Sequence, residues 1–549
     1  MLLNVIKDFK IYFTPKLLII LMLGFSSGLP LLLTGSTLTL WLADVGINIT
    51  TIGLLAAVGT PYSLKFLWSQ FIDHIPLPIL NKFLGQRRSW MLVTQLLLMY
   101  SIYKLGTSDP LNNILMVTIW ALAVAIASAS QDIAVDAYRI ELLEEKLQGY
   151  GAASYVFGYR MAMLVAGAGI IYLSTFLHMN IDPNVTNLAS DTQNNERAAI
   201  LANEIKMEQW STGYFYMALL MLVGVIATLL GPKITNADGE TSDPATDINN
   251  ENTASKKFSV KIILCSLFAI LSLLAYYLWT DSDNLQLILN DINITNSYKI
   301  DLYRPLMLLF TSIYVITLLL LLVIYSTSKS IKYILIEPFK DFTKRPSWIL
   351  IILFVILFKF GDAFAGSLIS KFLIDIEFDK ITIANIVKSF GMIATIIGAA
   401  LGGVMIKYIG IYKSLWVSGI LQMLSNLMFA VQAYFGNITE ILALTITVEN
   451  LSGGMGTSAF VAYLSMLCNR QFTATQYALV SSLSATARTI LVSMIFVVDL
   501  SYFGEISFVE RLGWINFFVL TTLTAIPGLF ILHRLTKSLE KGSVQQPVS

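Results

Sequence analysis

Residues 17–43 read LLIILMLGFSSGLPLLLTGSTLTLWLA, an apolar run without a charged side chain. A helix needs roughly 20 consecutive apolar residues to cross the hydrocarbon core of a bilayer. The run is too long for the apolar region of a secretory signal, and no small-residue cleavage site follows it. It therefore predicts the first membrane-spanning helix of the chain.

The composition of the whole chain points to the same class of protein. Of its 549 residues, 56% are hydrophobic and 13% are charged, with a mean hydropathy of +0.70. A water-soluble protein carries about 25% charged residues. The net charge of +1 offers no basis for binding nucleic acid through bulk charge. We predict an all-α, polytopic transmembrane protein surrounded by lipid.

Residues typical of catalytic and metal sites are scarce. The cysteines, Cys265 and Cys468, lie within or at the end of apolar runs, which favours inert buried thiols over a disulfide or a metal site. The histidines, His74, His178 and His533, lie near predicted loops. No Walker sequence or Cys/His metal cluster occurs in the sequence. We expect no enzyme, cofactor or metal, and transport by an ion gradient or facilitated diffusion.

Further apolar runs predict about 14 spans in all. The first six lie near 17–43, 51–72, 89–106, 113–137, 149–177 and 211–231. Two more lie near 259–280 and 304–326, and the last six lie near 347–374, 381–406, 414–435, 439–468, 474–499 and 512–533. Lys and Arg concentrate in alternate loops, which by the positive-inside rule predicts that both termini are cytoplasmic.

The two blocks of six spans resemble each other. The residues Gly35-Ser36, Trp41-Leu42 and Asp44 correspond in spacing to Gly366-Ser367, Phe372-Leu373 and Asp375, and Gln148 and Arg160 are spaced like Gln476 and Arg488. Parallel six-span halves with a substrate site between them are the layout of the major facilitator superfamily. We predict a six-helix bundle at 1–235, a cytoplasmic linker with an extra helix pair at 236–345, and a second six-helix bundle at 346–549. The extra pair is expected to pack outside the central cavity.

A loop after the second span carries a candidate conformational latch. Asp73 precedes a lengthened loop that ends in Gly85-Gln86-Arg87-Arg88, and a weaker copy with Gly403, Lys407, Gly410 and Lys413 follows the corresponding span of the second block. The pattern is similar to the loop motif of major facilitator transporters. The Asp73 carboxylate would accept hydrogen bonds from a neighbouring helix N-terminus, where the helix dipole favours negative charge. The alternative is that Arg87 and Arg88 are only positive-inside anchors.

Charged residues at bilayer depth are costly and mark candidate sites. Asp132, Asp136 and Arg139 share one face of the fourth span, and Arg139 is spaced to pair with Asp136. Asp132 lies deepest and is a candidate proton carrier. The alternative for Asp136 and Arg139 is a charge cluster at the inner surface.

The second block has two comparable segments. Lys359 and Asp362 lie in the middle of its first span, either as a transport pair or as a permanent structural ion pair. Glu449, in its fourth span, is followed by Asn450 and several glycines. These glycines suggest an irregular helix beside a cavity, or else close helix packing.

Three further cations lie within spans. They are Lys65 in the second span, Arg160 in the fifth, and Arg488 in the counterpart of the fifth. Each would bind an anionic substrate or neutralise the acids nearby, and the sequence does not decide which.

Several of these segments together resemble the AmpG-type muropeptide permeases of the major facilitator superfamily. The shared motifs are Gly24-Phe25-Ser26-Ser27-Gly28-Leu29-Pro30, Gly85-Gln86-Arg87-Arg88-Ser89-Trp90, Gln131-Asp132 through Asp136-Ala137, Gly158-Tyr159-Arg160, Lys359-Phe360-Gly361-Asp362-Ala363, Glu449-Asn450 through Gly456-Thr457, and Ala474-Thr475-Gln476-Tyr477-Ala478. They extend over about residues 20–500, excluding the long outer loop, the linker and the extra helix pair.

The resemblance implies a function. Members of this family import GlcNAc–1,6-anhydro-MurNAc and its peptide derivatives across the bacterial inner membrane with protons, for peptidoglycan recycling. A muropeptide carries carboxylates, amides and sugar hydroxyls, and the candidate substrate-binding residues are Lys359, Arg160, Arg488, Gln131, Asn450 and Gln476. The candidate proton-coupling residues are Asp132, Asp362 and Glu449. We expect a monomer. The alternatives are a carrier of another cargo, such as an oligopeptide or an acyl-CoA, and a non-transporting membrane receptor.

Overall fold

The computed structural model describes residues 10–47, 51–52, 55–77, 79–170, 172–173, 196–234, 329–485 and 508–543. Within these ranges the chain is helical and contains no strand, as the composition predicts. The predicted extra helix pair at 259–280 and 304–326, most of the long outer loop, and Arg488 lie outside the described residues.

Helices before residue 235, here called the first half, are α1 Pro15–Leu33, α2 Ser36–Asp44, α3 Thr60–Leu64, α4 Ser69–His74, α5 Leu80–Leu84, α6 Gln86–Gly106, α7 Ile114–Leu142, α8 Gln148–Leu164, α9 Glu196–Leu220 and α10 Leu222–Leu230. The linker contains α11 Lys329–Thr343, which the sequence did not predict. Helices after residue 345, the second half, are α12 Trp348–Leu357, α13 Phe360–Asp375, α14 Lys380–Ile383, α15 Gly391–Phe435, α16 Thr439–Met466, α17 at 473–485, α18 Phe508–Thr524 and α19 Ile526–Ser543.

The predicted count of about 14 spans is not confirmed. In the part of the chain that the structure describes, six helices are long and apolar enough to cross a membrane, and a seventh is a pair bent by 100° that comprises Thr439–Met466 and Arg470–Ala485. The span predicted near 51–72 is divided into short α and 3-10 segments. The spans predicted near 381–406 and 414–435 run together as one element, broken at Gly410 by non-helical backbone.

Glycines at the loop motif adopt the same backbone geometry in both halves. Gly85 and Gly410 each have φ of 77° and ψ of 167°. This left-handed region is readily available only to glycine. Gly85 immediately precedes α6 and Gly410 lies at the break inside α15, so each glycine stands at the N-terminus of the helical segment that follows the predicted loop. The matching geometry agrees with the internal repeat predicted from sequence.

Glycines also set the closest helix packing. A side chain at Gly24 or Gly28 on α1 would overlap the carbonyl oxygens of Tyr155 and Tyr159 on α8. In the second half, α15 and α16 approach in the same way at Gly398. Small residues let helix backbones come into van der Waals contact, which stabilises helix association in lipid, where the hydrophobic effect is absent.

The buried apolar clusters show where the two halves meet. One cluster around Trp41 is built from the first half alone, and one around Phe372 from the second half alone. Two other clusters, around Tyr138 and Tyr463, combine residues of both halves. The halves therefore share a core at one end of the described molecule, which we call the joined end, and have separate cores elsewhere.

Candidate functional site

Charged side chains from both halves gather at one place. Arg160, near the end of α8, interacts electrostatically with Glu449 on α16, and so do Lys359 and Asp362 of the second half. All four residues are partly exposed. We call these residues the central charge group. It unites four of the candidates that the sequence singled out in three separate spans.

Lys359 and Asp362 lie at a break in a helix. Helix α12 ends at Leu357 and α13 begins at Phe360, so the predicted span near 347–374 is discontinuous at Lys359. The Lys359 Nζ atom lies 3.5 Å from Asp362 Oδ2, and the two side chains are 16% and 29% exposed. Discontinuous helices at midspan are typical of transporter binding sites.

A residue that sequence reasoning missed completes this pair. Gln422 on α15 donates a hydrogen bond from Nε2 to Asp362 Oδ2 at 2.6 Å. Its side chain is buried, although it is a polar amide inside a predicted span. That polarity was the available signal, because a lone amide in an apolar run needs a partner when buried.

Glu449 is held by its neighbour in the sequence. The Asn450 Nδ2 atom donates to Glu449 Oε2 at 2.6 Å, and Asn450 Oδ1 accepts from the Thr395 hydroxyl at 2.8 Å. The expected irregular helix is wrong, because α16 runs unbroken through this segment. The glycines that follow Glu449 serve packing instead, since a side chain at Gly454 would overlap the Thr395 carbonyl oxygen.

A second buried polar group lies in the first half around Asp132. Lys65 and Asp136 interact electrostatically with Asp132, and Ser27 forms a hydrogen bond with it. Lys65 begins a 3-10 segment between α3 and α4, so the two lysines that face an acid in these groups, Lys65 and Lys359, lie at helix breaks. Asp132 Oδ1 has no hydrogen-bond partner among the described residues.

Gln131 and Tyr159 extend this first-half group. Gln131 is fully buried, and its Nε2 donates to the Ser26 hydroxyl at 2.9 Å. Tyr159 interacts electrostatically with both Asp132 and Arg160. Tyr159 thus lies between the Asp132 group and the central charge group.

Asp136 and Arg139 are buried where the halves meet. The Arg139 side chain is completely buried, pairs with Asp136 at 3.4 Å, and donates to the Ser465 hydroxyl of the second half at 3.0 Å. Its guanidinium also lies 5.5 Å from the ring centre of Tyr155 and 5.4 Å from that of Tyr477. Arg139 is therefore not an exposed surface charge, because tertiary packing covers it from both halves.

The Asp73 carboxylate also joins the halves. Its oxygens accept hydrogen bonds from the backbone N–H groups of Ala474 at 3.1 Å and Thr475 at 2.7 Å, at the start of α17. Arg87 holds Asp73 at 2.8 Å and Glu141 at 2.7 Å. The contact is the one expected of Asp73, a carboxylate at a helix N-terminus.

Two other candidates lie outside both charged groups. Arg88, a candidate latch residue, instead donates to the carbonyl oxygens of Thr228 and Leu229 within the first half. Gln476, a candidate substrate ligand, is buried and bonds to Asp341 on α11 and to Arg345. Because these contacts use both ends of its amide, Gln476 is not available to a substrate in this conformation.

Comparison with known proteins places these features in a family. A family model described as "Acetyl-coenzyme A transporter 1" matches residues 16–501. The anhydromuropeptide permease of Escherichia coli is 30% identical over 534 residues, covering 97% of this chain and 82% of that protein. A putative transporter named AmpG 4 from Rickettsia felis is 29% identical over 530 residues, covering 96% of this chain and 99% of that protein.

Solved structures show the same fold at low sequence identity. The fucose–proton symporter FucP of Escherichia coli superimposes with a TM-score of 0.58 at 11% identity, covering 94% of this chain and 97% of that one. The major facilitator proton–xylose symporter XylE superimposes with a TM-score of 0.55 at 10% identity, covering 94% of each chain. The architecture is therefore that of a major facilitator transporter, and the sequence relatives are permeases and transporters rather than enzymes.

Proposed function

This chain belongs to the AmpG-type permease family of the major facilitator superfamily, and on that premise we propose that it imports muropeptides into the bacterial cytoplasm by proton symport. The cargo would be GlcNAc–1,6-anhydro-MurNAc and its peptide derivatives, recovered for peptidoglycan recycling. The protein would be a multi-pass, monomeric component of the inner membrane.

The observation that carries this proposal is the central charge group. A muropeptide presents peptide carboxylates, amides and sugar hydroxyls. Arg160 and Lys359 come from different halves and supply the positive charges that bind carboxylates. The planar guanidinium of Arg160 can form two parallel hydrogen bonds to one carboxylate. A substrate bound by both residues would contact both halves, which is what coupling to a movement between them requires.

We assign proton coupling to the acids of the central charge group and of the buried polar group around Asp132. Asp132, Asp362 and Glu449 each lie beside a cation inside the bundle. Protonating an acid removes its attraction for that cation and leaves the cation to pair with an anionic substrate. Binding of a proton and of a substrate carboxylate would therefore favour each other.

The conformation fits one state of an alternating-access cycle. Contacts between the halves, through Asp73 and Arg139, lie at the joined end. We assign this end to the cytoplasm from the distribution of Lys and Arg in the predicted loops, which also puts both termini inside. The state would then be closed toward the cytoplasm. The full arrangement of two six-span halves with a further pair between them belongs to this proposal.

Uptake into vesicles tests the function directly. Purified protein in liposomes should accumulate labelled anhydro-muropeptide when the outside is acidic, and accumulation should collapse when an ionophore dissipates the gradient. Liposomes without protein are the control. Equal uptake with and without the gradient would exclude proton symport, and no uptake under either condition would exclude the cargo.

A second cargo is favoured by the family model, whose description names an acetyl-coenzyme A transporter. Coenzyme A carries several phosphates, whereas the central charge group combines two cations with two acids. This balance fits a cargo with fewer negative charges. Competition decides between them: excess unlabelled acetyl-coenzyme A should leave muropeptide uptake unchanged, and inhibition would favour the second cargo.

A further inference from the structure

Gln422 is placed to act on Asp362. Its side chain is 3% exposed, and its Nε2 lies 2.6 Å from Asp362 Oδ2. Lys359 Nζ approaches the same oxygen at 3.5 Å. The Asp362 carboxylate therefore has an amide donor from another helix in addition to its ion-pair partner.

The other end of this amide is a buried acceptor. An ionised carboxylate accepts hydrogen bonds and donates none, so the NH₂ of Gln422 must be the end that faces it. Gln422 Oε1 is consequently turned away, and it has no hydrogen-bond partner among the described residues. A buried acceptor without a partner costs about 1–3 kcal/mol, so this oxygen calls for an explanation.

We propose that Gln422 is a positioning residue that supports Asp362 in both protonation states, an inference that rests on the proposed role of Asp362 in proton coupling. With Asp362 ionised, Nε2 donates to the carboxylate. When a proton binds Asp362, the new O–H needs an acceptor, and a half-turn of the amide presents Oε1 to it. Lys359 then keeps its proton, loses the attraction of the Asp362 charge, and can pair with a substrate carboxylate.

Gly456 provides the space for this amide. A Cβ atom at Gly456 would lie 2.5 Å from Gln422 Oε1 and 2.7 Å from Cδ, closer than van der Waals contact allows. Gly453, one turn earlier on α16, has no atom within 4 Å of the corresponding position. An alanine at position 456 would therefore displace the Gln422 amide, whereas an alanine at position 453 would not.

The remaining charged groups around Asp362 leave this role to Gln422. Among the residues that the structure describes, these are Lys359, three positions earlier in the chain, Glu449 on α16, and Arg160 of the first half, which interacts electrostatically with Glu449. Glu449 already receives its own amide hydrogen bond, from Asn450. Each of the two acids thus has a separate amide partner, and of these two amides Gln422 is the one whose oxygen has no hydrogen-bond partner among the described residues, since Asn450 Oδ1 accepts from Thr395.

Infrared spectroscopy of the purified protein tests the proposal independently of the cargo. The carboxylic-acid C=O stretch of protonated Asp362 is identified as the band that disappears in Asp362→Asn. In Gln422→Leu, which keeps the volume of the side chain, this band should move to higher wavenumber because the O–H has lost its acceptor. Gly456→Ala should produce a similar shift with the amide still present, and Gly453→Ala should leave the band unchanged. An unchanged band in both Gln422→Leu and Gly456→Ala would overturn the proposal.

Transport measurements on the same variants distinguish a failure of the proposed Gln422 role from a failure of the proposed cargo. Gradient-driven accumulation should fall about tenfold or more in Gln422→Leu, the effect of a lost hydrogen bond to a charged group. Exchange of labelled for unlabelled muropeptide without a gradient should stay within about twofold of the native rate, since it does not require net proton movement. If native protein transports no muropeptide, the proposed function fails while the infrared result still decides the role of Gln422. Native-like accumulation in Gln422→Leu would overturn that role alone.

Discussion

The Asp73 carboxylate accepts a hydrogen bond from the backbone N–H of Thr475 at 2.7 Å, across the boundary between the halves. Arg87 holds the other Asp73 oxygen at 2.8 Å, so a buried ion pair fixes the carboxylate at the N-terminus of α17. If the halves separate at the joined end during transport, as proposed above, this contact would break. Its strength would then enter directly into the free-energy difference between the proposed conformations.

Asp73→Asn should open the joined end. The variant replaces the charged acceptor of the Ala474 and Thr475 N–H groups by an amide, and the weakened hydrogen bonds across the halves should destabilise the closed state by about 1.5–3 kcal/mol. Spin labels at the exposed positions Glu145 and Arg470, one in each half, should report a longer distance than in the native protein. Glu144→Gln, an exposed acid near the same end, is the control and should leave the distance unchanged. A native-like distance in Asp73→Asn would contradict the latch.

Arg139→Gln should expose the joined end to reagents. The variant removes two cation–π contacts, each worth about 0.5–2 kcal/mol, together with the ion pair to Asp136. In a Cys265→Ser background, the rate at which a thiol reagent labels the half-buried Cys468 should rise about tenfold. Arg534→Gln removes an exposed arginine stacked on Phe530 and should not change the rate. Equal labelling in both variants would contradict a closing role for Arg139.

Swapping the residues at positions 359 and 362 tests whether Lys359 and Asp362 act in transport or form a purely structural ion pair. If Lys359 must meet a substrate carboxylate, Lys359→Asp combined with Asp362→Lys should fold and insert but not accumulate muropeptide. A purely structural pair would be restored by the exchange. The exposed pair Lys371–Asp375, at 3.1 Å, provides a matched control exchange that should leave uptake intact. Near-normal uptake after the first exchange would refute the transport role.

Neutralising the buried acids one at a time should identify the proton carrier. We expect at least one of Asp132→Asn, Asp362→Asn and Glu449→Gln to abolish gradient-driven accumulation and to retain exchange without a gradient. The reason is that an amide keeps the shape of the acid but cannot release a proton at physiological pH. Uptake and exchange are measured in the same liposomes. Full accumulation in all three variants would rule out these residues as carriers.

Gly24→Ala should destabilise the first half. The added methyl group would overlap the Tyr155 carbonyl oxygen, forcing α1 and α8 apart. Such overpacking costs about 1–3 kcal/mol, and the thermal unfolding midpoint in detergent should fall. Gly366→Ala, also within a helix but with no atom within 4 Å, is the control and should not lower the midpoint. Equal midpoints for the two variants would show that the α1–α8 contact tolerates separation.

Local features of the fold could be predicted from the sequence. The apolar run at 17–43 indicates a spanning helix because the free energy of transferring a segment into lipid is a sum over its own residues. Gly85 and Gly410 were recognised as loop positions by similarity to the loop motif of major facilitator transporters, and the structure gives both a left-handed backbone that favours glycine. Helix interruptions at Lys65 and Lys359 were not predicted, since hydropathy reports where a segment lies and not whether its helix is continuous.

The sequence by itself determined that this protein spans a membrane, that it resembles one transporter family, and which charged residues are costly enough at bilayer depth to mark a site. Only the tertiary structure decided their partners. It placed Arg160 beside Glu449, Gln422 on Asp362, and Arg139 between rings of both halves. The physical reason is that the cost of burying a charge is a property of one residue. Its compensation depends on which helix faces come together, and that is set by backbone contacts between residues far apart in the chain.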